Sequence, residues 1–110
     1  MVFRDEQHED RYFAIIAKMK SNDVYHAALA YLLALDSNVD SKRLAECFDF
    51  SEDIIKPGVL EAAWITSTDR RVLKLGFNLW NDTHQANVSD VFCAGADLEY
   101  LLEAVKIRFN

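Results

Sequence analysis

Three kinds of side chain in this sequence are able to do chemistry: a run of hydroxyls followed by cations, three histidines and two thiols. The run is Thr66-Ser67-Thr68-Asp69-Arg70-Arg71, with Lys74 one helical turn further on. Hydroxyls and open amides at a helix start, beside guanidinium groups, suit a phosphate- or nucleotide-bearing ligand. The same residues also serve structure alone. Thr66, Ser67 and Thr68 are each good N-caps, and Asp69 stands three after Thr66, as in a capping box. Asp69 itself occupies the positive end of such a helix, and the chain has acids enough to neutralise the arginines. Helix initiation and solubility are therefore the expected roles. An anion site at Thr66, Ser67, Arg70, Arg71 and Lys74 is the alternative.

The histidines, His8, His26 and His84, show no HExxH or HxxxH spacing, so no metal is expected. His8 falls in the apolar stripe of its helix, which predicts a partly buried ring with a satisfied hydrogen bond. His26 interrupts an apolar helix and is expected to bond a backbone carbonyl. Cys47 and Cys93 form no CxxC pair and sit among apolar neighbours, as reduced core thiols do. Glycines occur only at Gly58, Gly76 and Gly95, which excludes both GxGxxG and the P-loop pattern. No GxSxG elbow exists. No catalytic residue and no cofactor are expected.

With a net charge of −6, duplex nucleic acid is not an expected partner, because binding it needs clustered Lys and Arg. A basic protein surface fits better. Asp49, Glu52 and Asp53, with Phe50 among them, form the densest acidic cluster and the candidate partner surface. The longest apolar run, Ala27–Leu35, is too short to span a bilayer, and the first residues have no apolar leader core. A cytoplasmic protein away from membranes is expected, with self-association as a further reading.

The elements that must position these groups read as helices. With 110 residues, 51% apolar, one proline and three glycines, the chain predicts one all-α domain of five to seven helices. Helical periodicity covers about 5–20, 24–35, 41–47, 58–63, 66–81, 88–92 and 97–108. Asp5, Asp23, Asp40 and Asp97 are the expected caps, and Gly95 the expected left-handed stop. In the first helix Tyr12, Phe13, Ile15, Ile16 and Met19 share one stripe. The segments around Leu29 and Leu75 are apolar over most of their circumference and belong at the centre. Residues 48–65 are the least regular, with a break at Pro57. Gly76 lies mid-arc on its helix's apolar face, which predicts a close crossing, against Ala27, Ala28 and Ala30.

In "FDFSEDIIKPGVLEAAWITSTDRRVLKLGFNLWN", Phe48 to Asn81, the FDF turn, the IKP break, the TST cap and LGFNLWN carry a resemblance. His8 followed by Phe13, and the ending AVKIRF, extend it over most of the chain. The chain resembles a family of small proteins of unknown function from Gram-positive bacteria and their phages. That resemblance implies a helical single domain and a mobile-element origin, and transfers no substrate or catalytic residue. The expected function is a non-enzymatic protein-interaction module, of the inhibitor or immunity type. The alternative is a small anionic-ligand binder or hydrolase at the helix start, with His8 or His84 nearby.

Overall fold

The computed structural model describes residues 1–93 and 97–110. The stop expected at Gly95 lies outside the described residues. The fold is all-α, with six α-helices, one 3₁₀ turn and a two-stranded ribbon among the described residues.

Helix α1, Glu6–Lys18, starts where the Asp5 carboxylate accepts the His8 N–H at 2.8 Å. It turns Tyr12 and Ile15 inward, and Met19 at its end is buried too. Phe13, expected in the same stripe, is instead 55% exposed. Helix α1 packs chiefly against one neighbour, so its buried stripe is narrower than its apolar arc. The Phe13 ring lies at the rim, against Phe3 and Tyr12.

Helix α2, Val24–Leu35, begins at Asp23, which accepts the His26 N–H. Every residue from His26 to Leu35 is buried, because α1, α4 (Ser67–Trp80) and α6 (Leu98–Phe109) surround it. Each buried leucine there contributes roughly 1.5–3 kcal/mol of hydrophobic stabilisation. A helix with no polar face is stable only when enclosed, and α2 is the enclosed rod the sequence demands.

Asp40 caps α3, Ser41–Cys47, which directs Leu44 and Cys47 inward. The chain then forms a ribbon: β1, Phe48–Asp49, pairs antiparallel with β2, Ile54–Ile55. Its turn is closed by Asp49 Oδ1, which accepts from the Ser51 N–H and hydroxyl and the Glu52 N–H. Asp53 adopts a left-handed φ of 58°, which Asp tolerates better than most residues. Pro57 opens a 3₁₀ turn, Pro57–Glu61, where a short helix was expected.

Thr66 Oγ1 accepts the Asp69 N–H and Asp69 accepts the Thr66 N–H, a complete capping box that starts α4. Leu73, Gly76 and Phe77 press this helix onto α2. A Cβ on Gly76 would lie 3.2 Å from Leu29 Cδ1 and 3.6 Å from Leu32 Cδ1. The close crossing is against α2, as expected, but leucine methyls rather than the alanines fill it. Helix α5, Val88–Val91, follows its Asn87 cap, and α6 completes the bundle. Asp97 precedes α6 without a side-chain capping bond and turns instead to Arg4 at 3.4 Å. Near the end of α6, Arg108 Nε donates to Leu79 O at 2.9 Å and ties the α4 terminus down. No helix among the described residues is long and apolar enough to cross a membrane.

Candidate anion-binding groove

With one face of α4 on α2, its opposite face is left to solvent. Ser67, Arg70, Arg71, Lys74 and Asn78 follow one another there at steps of three, one, three and four, so they form a row along the helix. Gln85, Ala86, Asn87, Asp90 and Val91 supply the facing wall, and the two rows enclose a groove of about 610 Å³. The wall is held by short-range bonds. Asn78 Nδ2 donates to His84 O at 2.7 Å, Asn87 caps α5 through the Ser89 N–H at 2.9 Å, and Val91 is anchored in the core. A second hollow of about 440 Å³ shares Ser67, Arg71 and Asp90 and adds Ser89 and Cys93.

The cations are held without being neutralised. Arg70 Nη2 donates to Leu60 O at 3.2 Å, and Arg71 Nη1 lies 3.0 Å from Cys93 Sγ and 3.5 Å from Cys93 O. Lys74 stands exposed between them and Asn78. Among the described residues, no carboxylate oxygen lies within 4.0 Å of a nitrogen of any of the three. Asp90 shares the groove with them without forming an ion pair. Thr66 lies outside the lining, its hydroxyl spent on the capping box, whereas Ser67 lines both hollows.

The histidines lie elsewhere. His8 is 1% exposed, with Nδ1 accepting the Arg4 N–H at 3.0 Å. That bond fixes the neutral tautomer in which Nε2–H donates to Tyr31 O, also at 3.0 Å. Burial lowers its pKa, against the opposing pull of the Tyr31 carbonyl. The expectation of a buried, satisfied ring holds. His84 is half-buried and does not line the groove.

His26 differs from its expectation. Its partners are carboxylates rather than a carbonyl: Asp23 Oδ1 at 2.7 Å from Nδ1 and Asp53 Oδ1 at 2.8 Å from Nε2. Burial disfavours the imidazolium, but hydrogen bonds and charge from the two aspartates prevail and raise its pKa. Asp23 was legible at three residues' distance; Asp53 reaches His26 only because the ribbon turns back over α2, which no local spacing announces.

The acidic cluster comes together on the ribbon turn, although its groups are largely occupied. Asp49 closes the turn, Asp53 holds His26, and the half-buried Phe50 ring packs on Phe48 at 5.0 Å. Glu52 alone of the four is exposed. Of the thiols, Cys47 is buried as expected, and burial pushes its pKa up to about 12. Cys93 is exposed, contrary to expectation, because it follows the short α5 at the rim of the hollow rather than lying within a helix.

Among the described residues, no group of three or more His, Cys, Asp or Glu side chains is placed to hold a metal ion. The groove presents cations, a hydroxyl and carboxamides, the groups that suit an anionic ligand. No curated protein and no solved structure matches the chain. A family model does match, over residues 1–110, and the chain belongs to that family of unknown function, DUF6075.

Proposed function

We propose that this protein is a non-enzymatic binding module whose working surface is the groove between α4 and α5. Its ligand is a small molecule bearing a phosphate or several carboxylates. One observation carries this reading: Arg70, Arg71 and Lys74 open on one groove with no carboxylate within 4.0 Å among the described residues. Guanidinium pairs grip phosphate and carboxylate oxygens in parallel, and the volume falls within the ordinary range of small-molecule sites, about 300–1,000 Å³. Asp90 and the carboxamides of Asn78, Gln85 and Asn87 offer partners for the neutral, hydroxyl- or amine-bearing part of such a ligand. Two free thiols support a reducing compartment such as the cytoplasm.

Pyrophosphate and mononucleotides, tested by thermal shift, raise the melting temperature of the wild type and leave that of Lys74→Glu unmoved. Equal shifts in both proteins, or in neither, overturn the proposal. A second reading, a partner-binding inhibitor of mobile-element origin, is favoured by the ribbon edge, where the exposed Glu52 and the 52%-exposed Ile54 adjoin. A pull-down that recovers a stoichiometric basic partner, lost on Ile54→Lys, would favour it over the groove.

A further inference from the structure

Two buried carboxyl groups line one cavity where α2 ends and α4 begins, and both accept hydrogen bonds from Asn38. Asp36, the C-cap of α2, is 8% exposed, and Asp69, in the first turn of α4, is 1% exposed. Asp69 is well supplied with donors: the Thr66 N–H at 2.9 Å and Asn38 Nδ2 at 3.1 Å. Asp36 has the Asn38 N–H on Oδ1 at 3.0 Å and nothing on Oδ2, which is a buried acceptor without a partner. Among the described residues no cationic nitrogen lies within 4.0 Å of either carboxyl group. A buried carboxylate oxygen with no donor is costly, and two carboxylates in contact are worse.

The charged groups around the pair do not fill the gap. From α1, Arg11 Nη2 donates to the carbonyl oxygens of Asp36 and Val39, at 2.7 and 2.6 Å, and not to the carboxyl group. From the N-terminal segment, Arg4 donates to Leu35 O at 2.9 Å and pairs with Asp97 and Asp5. Asp97, before α6, shares a cavity of about 130 Å³ with Arg4, Asp36, Thr68 and Asp69. From the α3 side come Asp40, which acts on Arg11, and the buried thiol of Cys47. A metal ion is disfavoured, since no three ligating side chains converge among the described residues and Arg4 adjoins the same cavity. A proton needs only the two oxygens.

We propose that Asp36 and Asp69 hold one proton between them in the folded protein. Asp36 Oδ2–H donates to the Asp69 carboxylate, and this shared proton latches the end of α2 to the start of α4. The donor count decides which partner carries it: Asp69 already accepts two other bonds, and Asp36 Oδ2 has no other use. Loss of the proton sets two like charges against the capping box that begins α4. The proposal stands whether or not the groove takes an anion.

Asp36→Asn tests it, because the carboxamide places a permanent donor where Oδ2–H is proposed and keeps an acceptor for the Asn38 N–H. Unfolding of both proteins is followed between about pH 5 and pH 8. The wild-type folding constant should fall relative to the variant by about tenfold per pH unit while the folded pair keeps a proton that the unfolded chain has released, and the difference should level off once the pair ionises. Parallel profiles overturn the proposal. If the variant fails to fold, carbon-detected NMR of the wild type decides. One aspartate side-chain carbon titrating far above the ordinary carboxylate range supports the latch; two carboxylates already ionised at the acid end overturn it. Stabilisation of the wild type, but not of Asp36→Asn, by magnesium or calcium at the alkaline end also overturns it, because a cation would then fill the gap.

Discussion

Substituting Gly76 by alanine sets two opposing quantities against each other, and the structure says which wins. Alanine is favoured over glycine inside a helix by about 1 kcal/mol. The added methyl, however, meets Leu29 Cδ1 at 3.2 Å, inside ordinary van der Waals contact. Leu29 is 0% exposed and Leu32 1%, so neither has free space to move into. Overpacking of this kind costs about 1–3 kcal/mol, so Gly76→Ala should destabilise by up to about 2 kcal/mol net. Leu29→Ala alone should cost about 2–5 kcal/mol through lost burial and the cavity it leaves. In that background the obstructing methyl is gone, and Gly76→Ala should become stabilising by about 1 kcal/mol as propensity acts unopposed. The sign reversal is the prediction. Urea denaturation of the four proteins measures it as a double-mutant cycle, with an expected coupling of about 1–3 kcal/mol between contacting residues. If Gly76→Ala shifts stability equally in both backgrounds, the crossing of α4 on α2 is not set by this contact.

The two buried histidines should titrate in opposite directions: NMR should find His8 below the ordinary histidine pKa and His26 above it. His8, with its lowered pKa, contributes stability that is present above the unfolded value of about 6.5 and lost as pH falls through the folded one. His26 contributes stability that is complete below about 6.5 and lost as pH rises through its elevated value. Asp36 adds a further loss with rising pH, since burial and then Asp69 push its pKa above the unfolded carboxylate value of about 3.9, and this loss sets in from that value upward. Thiol labelling of the native protein should modify Cys93 rapidly and Cys47 only on unfolding; equal rates would contradict the burial of Cys47.

What the sequence disclosed and what it hid divide along a physical line. Caps act over three residues, so Asp5, Asp23, Asp40 and Thr66 were legible, and all four accept the backbone N–H expected of them. The centrality of α2 was legible because twelve residues with one polar interruption allow no solvent face. The ribbon was not, since two residues per strand are too few to show a period. Asp97 has a cap's identity but a stronger partner in Arg4, 93 residues away in sequence. Ser67, Arg70, Arg71 and Lys74 were visible as hydroxyl and cations at a helix start, while the facing wall depends on where Asn87 starts α5. Asp36 and Asp69 looked like a helix stop and a cap; their meeting is a product of the α2–α4 junction.

The central claim is that the α4–α5 groove receives an anionic ligand. Titrating isotope-labelled protein with pyrophosphate, observed by NMR, tests it most directly. Saturable, salt-sensitive shifts should appear at Arg71 Nε and at the side-chain amides of Asn78 and Asn87, and none at Asp49–Ile54. No saturable change in the groove, or changes centred on the ribbon turn, would contradict the account.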